Sequence, residues 1–323
     1  MVVQTCQHEQ TQKHGKDRHG NQRHKCKRCG ATFTEAQPKP LGALRISMRQ
    51  ATTALGMMLE GMSLRAINRL TGIDRETLGE LILTVGENCQ ALLDSLEGIE
   101  ASDVEADEIW SFVGLKEKRR IDRNRSEELG DSWCWIAVEA NTKLVLAHHV
   151  GDRDSRSCWS FLTRLRRATA GRFQLSSDGL AAYRMTVPFV FRGSVDFTQL
   201  VKQYASTHVT TRYSPATIIG AEKHSRMGGP DLEKTCTSHV KRLNLSLRMH
   251  LRRFTRLTNG HSKSLDHHKA MLAIFFAWYN FARVNTGLEG KQTPAIATGL
   301  TTKAWSLREL LENAATKNFG PTH

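Results

Sequence analysis

The sequence predicts a multidomain α/β protein, and three observations predict it. The first forty residues are polar and basic, with cysteine and histidine where a core would be. Residues 41–98 repeat apolar positions at helical spacing. From residue 99 short β-branched and aromatic runs alternate with an amphipathic helix and end in two long helices. The expected domains are therefore 1–40, 41–98 and 99–323.

The chain carries a formal charge of +14 with 39% hydrophobic residues. That is apolar enough for a sizeable core, and the excess charge favours a polyanionic partner. Cys6, Cys26 and Cys29 cluster near the N-terminus, whereas Cys89, Cys134, Cys158 and Cys236 are scattered. An odd, uneven set does not make a disulfide framework, so a reducing cytoplasm is expected. No apolar signal core opens the chain. The best apolar run, Met271 to Phe281, falls short of the roughly 18 residues of a membrane span. No membrane partner is expected.

In chain order, Pro38 and Pro40 close the first segment. Met57, Met58, Leu59 and Met62 end a first helical stretch, Ser63 to Leu70 forms a second, and Thr71-Gly72-Ile73 makes a turn. Asp74 reads as the N-cap of a helix from Arg75 to about Leu92. Ile109 to Leu115 is strand-like, and the charged stretch Lys116 to Gly130 reads as a hairpin loop. Trp133 to Glu139 and Leu144 to Val150 read as strands around an Asn141-Thr142 turn. Asp154 to Thr169 is a helix with Trp159, Leu162 and Leu165 on one face. Arg172 to Ser177 is a strand leading to Asp178, and Val195 to Val201 is a further strand. Arg212 to Thr235 reads as a loop, and helices are expected over Ser238 to Asn259 and Ser262 to Arg283. This order matches a ribonuclease-H-like catalytic core with C-terminal helices.

Three sets of residues carry chemistry. Cys6-x-His8 and Cys26-x2-Cys29-Gly30 offer the thiolate and imidazole ligands of a closed tetrahedral zinc site, an N-terminal zinc ribbon, with His14, His19 and His24 as competing ligands. A small polar segment gains a reason to fold from such an ion. Ser63 to Leu78 has the shape of a helix-turn-helix, with Arg75, Glu76 and Thr77 near the start of its second helix, where base edges are met. Asp107 and Asp178 lie in or at the end of strand-like stretches, and carboxylates brought together hold Mg²⁺ or Mn²⁺ for phosphodiester chemistry. At a spacing of two, Asp103, Glu105 and Asp107 share one strand face, while Glu108 points the other way. Six Lys or Arg and no acid fall between Ser238 and Thr258, with Lys241, Arg248 and Arg252 along one face and Arg256 nearby. Such a run fits phosphate contact with double-stranded DNA.

Taken together, these residues resemble bacterial insertion-sequence transposases of the insertion sequence 1-like group, with a DDE-type catalytic domain. The marks are Cys6-x-His8 with Gly15-Lys16-Asp17-Arg18, Cys26-x2-Cys29-Gly30, and Ala106-Asp107-Glu108-Ile109-Trp110. Further marks are Leu175-Ser176-Ser177-Asp178-Gly179, His239-Val240-Lys241-Arg242-x-Asn244-Leu245, Arg256-Leu257-Thr258-Asn259 and Tyr279-Asn280-Phe281. The resemblance implies that Asp107 and Asp178 are the first two acids of a metal-binding triad performing two-metal phosphoryl transfer. The third acid of the family is a Glu directly after the His-Val pair, and here that position is Lys241. A protonated lysine does not ligate Mg²⁺. Glu222, Glu233 and Asp266 are the acids within reach as substitutes.

The resulting expectation is a bacterial DNA transposase of an insertion sequence, cytoplasmic and nucleoid-associated. It would bind the inverted-repeat ends of its element and target DNA, and analogy implies a homodimer. The alternative is a catalytically inactive transposase-derived DNA-binding protein acting as a repressor or dominant-negative subunit.

Overall fold

A computed structural model describes residues 6, 8–18, 21–34, 39–126, 128–204, 218–255, 258–317 and 319. His19, Arg256, Leu257 and the start of the loop expected from Arg212 lie outside these residues. The chain divides into two compact units, Met1–Lys39 and Pro40–His323.

In the first unit, β1 (Thr11–Lys16), β2 (Gln22–Cys26) and β3 (Thr32–Thr34) form an antiparallel sheet in that order. Asp17 accepts the backbone and side-chain amides of Asn21 at 2.9 and 3.0 Å and closes the first hairpin. Gly30 takes a left-handed φ of 74° and donates its N–H to Cys26, a turn that a β-carbon would strain. Among the described residues of this unit only Cys26 is buried. Among the described residues no apolar core holds these strands.

The second unit begins with α1 (Met48–Leu59), α2 (Leu64–Thr71) and α3 (Arg75–Asp94). Ser47 and Gln50 form a capping box on α1, Ser63 caps α2, and Gly72 ends α2 in the left-handed region. Asp74 caps α3 by accepting the N–H of Glu76. There follow β4 (Ile99–Glu100), β5 (Asp103–Val113), α4 (Glu117–Asp122), β6 (Gly130–Glu139), β7 (Val145–Gly151), α5 (Ser155–Ala168), β8 (Thr169–Ala170) and β9 (Phe173–Asp178). The chain continues through α6 (Ala181–Phe191), β10 (Val195–Tyr204), β11 (Ile218–Met227), α7 (Ser238–His250), a 3₁₀ turn at Arg252–Phe254, α8 (Leu265–Phe281), α9 (Pro294–Ala297) and α10 (Leu307–Thr316).

Six strands make one mixed sheet in the order β11-β10-β9-β5-β6-β7. β5, β6 and β7 are antiparallel, β9 runs parallel to β5, β10 parallel to β9, and β11 antiparallel on the edge. Ile109, Ile136, Val138 and Val145 face a core shared by α1, α3, α7, α8 and α10. Val104, Ala106, Trp135, Leu175 and Phe197 face the opposite core, under α5 and α6. The architecture is thus mixed α/β with helices on both faces. The helices of 41–98 close no core of their own. They share one with α8, against which α3 packs so closely that a β-carbon on Gly86 would collide with Ala270.

Five local readings change. The charged stretch after β5 holds the short helix α4. Helix α6 lies in a stretch with no expected element; it forms despite Pro188 and the β-branched Thr186, Val187 and Val190, and its buried face includes Ala182, Tyr183, Val187 and Phe191. The loop expected after Arg212 contains β11, a polar edge strand with no alternation to read. On α5 the buried face is Cys158, Phe161, Leu162 and Leu165, and Trp159 is half exposed. Finally, α7 ends at His250, so Arg252 sits in the 3₁₀ turn rather than on one helix face with Lys241 and Arg248. Leu251 and Phe254 are buried there and keep the helical spacing without the helix.

Candidate active site and metal centres

Parallel pairing brings the two aspartates together. Ala106 on β5 pairs with Ser177 on β9, which sets Asp107 beside Asp178 where β9 ends. β5 continues to Val113, so past this point its edge has no β9 neighbour. Glu108 leaves β5 on the other face, as side-chain alternation requires. Even so, carboxylate oxygens of Asp107, Glu108 and Asp178 lie within 4.8 Å of one another. Glu108 thus points the other way from Asp107, as expected, and still meets the pair because β9 ends at Asp178.

Each acid is fixed by neighbours. Asn244 on α7 donates its amide to Asp107 Oδ2 at 3.0 Å. Arg153 donates to Glu108 Oε1 at 2.8 and 2.6 Å and stands 3.9 Å from Asp178 Oδ2. Tyr183 reaches Glu108 Oε2 at 3.4 Å. Burial pushes the Asp107 carboxyl up to about 6, with the Lys241 charge opposing and Asp178 adding to the rise. Burial also pushes Glu108 up to about 7, aided by Asp178 and opposed by Arg153. Lys202, from β10, contacts Lys241, and that contact holds the Lys202 ammonium below its usual range. Lys241 also donates to Thr237 Oγ1 at 3.0 Å.

Glu105, two residues before Asp107, takes no part in this trio. It accepts the backbone N–H groups of His239 and Val240 and a bond with His239 Nδ1. It therefore caps α7, which has no side-chain cap from its own Thr237. None of the three substitute acids joins the site among the described residues. Glu222 bonds Gln203 and pairs with His224, the Glu233 carbonyl accepts from Lys223, and Asp266 lines a separate groove with Glu87, His149 and Lys269.

In the first unit, Cys6, His8, Cys26 and Cys29 bring their ligand atoms within 4.8 Å of one another. Cys6 and Cys26 sulfurs lie 3.8 Å apart, and Cys29 Sγ is 3.3 Å from His8 Nδ1. The backbone N–H of Cys29, with His8 behind it, pulls the Cys26 thiol down to about 6. His14 and His24 are not in the cluster.

Both donor sets suit a metal. Three thiols and an imidazole match tetrahedral zinc. Three carboxylates are hard oxygen donors for Mg²⁺ or Mn²⁺, and the buried Oδ1 of Asn244 beside them has no hydrogen-bond partner.

No protein-family model matches the chain. Among curated proteins it is similar to the insertion element iso-IS1n protein InsB of Shigella dysenteriae, with 25% identity over 177 residues, 55% of this chain and 95% of that protein. Among solved structures it is matched with the cryo-EM structure of a piggyBac transposase synaptic complex with hairpin DNA, at a TM-score of 0.36 and 9% identity, over 83% of this chain and 70% of that one.

Of the residues that the sequence resemblance implies for a metal-binding triad, the geometry unites Asp107 and Asp178 and sets Lys241 where its charge acts on Asp107. Of the other basic and polar residues singled out, Arg75 is exposed at the first position of α3 and Thr77 is half-buried beside it. Arg248 is half-buried in the last turn of α7, and Arg252 is exposed. Glu108, Asn244 and Lys202 are not among the site residues expected from sequence. Asn244 carries a signal in hindsight: it lies three residues after Lys241, on the same helix flank.

Proposed function

We propose that the chain is a DNA transposase of an insertion sequence, built as a zinc ribbon, a helix-turn-helix and a ribonuclease-H-like DDE-type domain. The observation that carries this is the meeting of Asp107 and Asp178 at the end of β9, against the parallel strand β5. Ligand and metal sites of parallel sheets form at such strand ends. The similarity to an insertion-element protein supports the same reading.

In this reading Asp107 and Asp178 hold Mg²⁺ or Mn²⁺. When bound, such ions neutralise phosphate charge and acidify the attacking hydroxyl. Asn244 fixes the orientation of the Asp107 carboxylate, and Glu105 seats α7 so that Asn244 and Lys241 face the acids. Lys241, Arg248 and Arg252 contact DNA phosphates, Arg75 and Thr77 meet base edges, and Cys6, His8, Cys26 and Cys29 hold a structural zinc. The partners are the inverted-repeat ends of an element and target DNA, and two copies of the chain pair the two ends in the bacterial cytoplasm, at the nucleoid.

A second reading is favoured by a specific observation. Lys241, Lys202 and Arg153 set three positive charges against the three acids. A site already neutralised from within fits a chain that binds element ends without cutting them, a repressor or dominant-negative subunit. Labelled element-end DNA incubated with Mg²⁺ or Mn²⁺ decides between them. Cleaved and joined products that vanish in Asp107→Ala support the transposase; retained end binding with no product in the native chain supports the second reading.

A further inference from the structure

We propose that the acid trio holds a single divalent ion, with Glu108 as the third carboxylate ligand, and that the ammonium groups of Lys241 and Lys202 neutralise the phosphate in place of a second ion. This rests on the metal reading of Asp107 and Asp178 above, and it goes further by assigning the third ligand and the ion count.

The ligand assignment follows from reach. An octahedral Mg²⁺ with bonds of about 2.1 Å spaces its oxygen ligands by about 3 to 4 Å. The three acids present oxygens within 4.8 Å of one another, so a small closure brings all of them onto one ion. Glu108 Oε1 is held by two bonds from Arg153, whereas among the described residues Oε2 has only the Tyr183 hydroxyl at 3.4 Å. One oxygen is therefore anchored and the other keeps lone pairs for a cation. Glu108 and Asp107 are both buried at 8% exposure, which prearranges the ligands and excludes competing water. Two elements bring cations: β10, the strand beside β9, carries Lys202, and α7, on the Asp107 face, carries Lys241.

The ion count follows from charge. With all three carboxylates ionised, Lys241, Lys202 and Arg153 leave the unfilled site near neutral. One divalent ion makes it positive enough to hold a phosphodiester. A second ion would have to enter beside Lys202, two residues past the Leu200 that pairs with Asp178, and Lys241, three residues before the Asn244 that bonds Asp107, and would gain no carboxylate from position 241. Like charges in a low-dielectric site repel strongly. Lys241 then is not a vacancy in a triad. It supplies from a side chain the positive charge that the missing acid would have recruited as an ion.

Mn²⁺ titration of the full-length, zinc-loaded protein, followed by calorimetry and by the loss of free-ion paramagnetic resonance signal, tests this without reference to activity. One Mn²⁺ per chain is expected. Glu108→Gln should weaken it by about tenfold or more, since even outer partners of a metal site are worth that much. Glu108→Asp, a second variant that keeps the charge, should bind one ion at intermediate strength. Lys241→Glu should raise the count to two. Circular dichroism verifies that each variant is folded. Two ions in the native chain, or an unchanged count in Lys241→Glu, would overturn the lysine assignment. Native affinity in Glu108→Gln together with lost binding in Asp107→Asn would overturn the third ligand while leaving the metal site standing. Unchanged binding in Asp107→Asn would remove the metal site itself.

Discussion

Glu105 holds His239 twice, through the backbone N–H at 2.7 Å and through ring Nδ1 at 2.7 Å, and takes the N–H of Val240 at 3.0 Å as well. Two strand residues further on, Asp107 is held by Asn244, five helix residues after His239. The spacings agree: two strand residues advance about 6.7 Å, and four to five helix residues advance about 6 to 7.5 Å. α7 is thus laid along β5 by two acids on one strand face, the first a cap and the second a site residue.

Replacing Glu105 by Ala leaves two backbone donors at the buried start of α7 without an acceptor. Hydrogen bonds to a charged group are worth about 1.5–3 kcal/mol, so a destabilisation of about that size is expected in denaturant unfolding. Mn²⁺ affinity should fall too, because Asn244 and Lys241 are carried by the same helix. An unfolding midpoint equal to that of the native chain would mean that α7 is seated by its apolar face alone.

Metal binding should depend on pH with a definite sign. Glu108 titrates near 7 and Asp107 near 6, both raised mainly by burial. Below those values each carboxyl carries a proton that a cation must displace, so affinity falls towards acid, by about one decade per pH unit for each protonated ligand. Between pH 8 and pH 7 it should change little. Calorimetry in buffers of different ionisation enthalpy at pH 6 should detect proton release on Mn²⁺ binding, and none at pH 8.5. Equal heats in all buffers at pH 6 would exclude protonated ligands.

What the sequence discloses about this site follows strand physics closely and stops where that physics stops. Asp107 and Asp178 are legible because each ends or interrupts an apolar run, and parallel strands gather their ends. Glu108 is not, since alternation places it on the opposite face from Asp107 and contains no information on where the neighbouring strand terminates. β11 escapes because its pairing is supplied by β10 rather than by its own apolar pattern, and α6 escapes because burial overrides the local cost of Pro188. The shared core of α3 and α8 is equally invisible, as each helix reads as amphipathic without naming its partner.

That shared core has a sensitive point at Gly86. A β-carbon there would overlap both the side chain and the backbone of Ala270 on α8. The helices can separate to admit it only by opening the contacts of α3 neighbours such as Ile82 and Val85, which are buried in the same core. Gly86→Val should therefore destabilise the second unit by about 1–3 kcal/mol, the usual size of an overpacking penalty, although glycine is itself a poor helix former. A pairing of Gly86→Val with Ala270→Gly should recover part of the loss in the same thermal or denaturant melt. A single variant as stable as the native chain would show that α3 and α8 pack further apart than this geometry requires.

The first unit makes the last prediction. Its strands carry exposed or half-buried side chains, with Cys26 alone buried among the described residues. Hydrophobic burial on that scale cannot offset chain entropy. If Cys6, His8, Cys26 and Cys29 hold zinc, the ion supplies the missing free energy, and structural zinc in small domains contributes about 10–16 kcal/mol of apparent binding. The purified chain should contain one zinc by atomic emission. Chelation, or Cys26→Ser, should expose residues 8–34 to rapid proteolysis while the melt of residues 40–323 stays unchanged, because the two units are compact separately. Protection that survives both treatments would mean that the strands are held by something other than these four ligands.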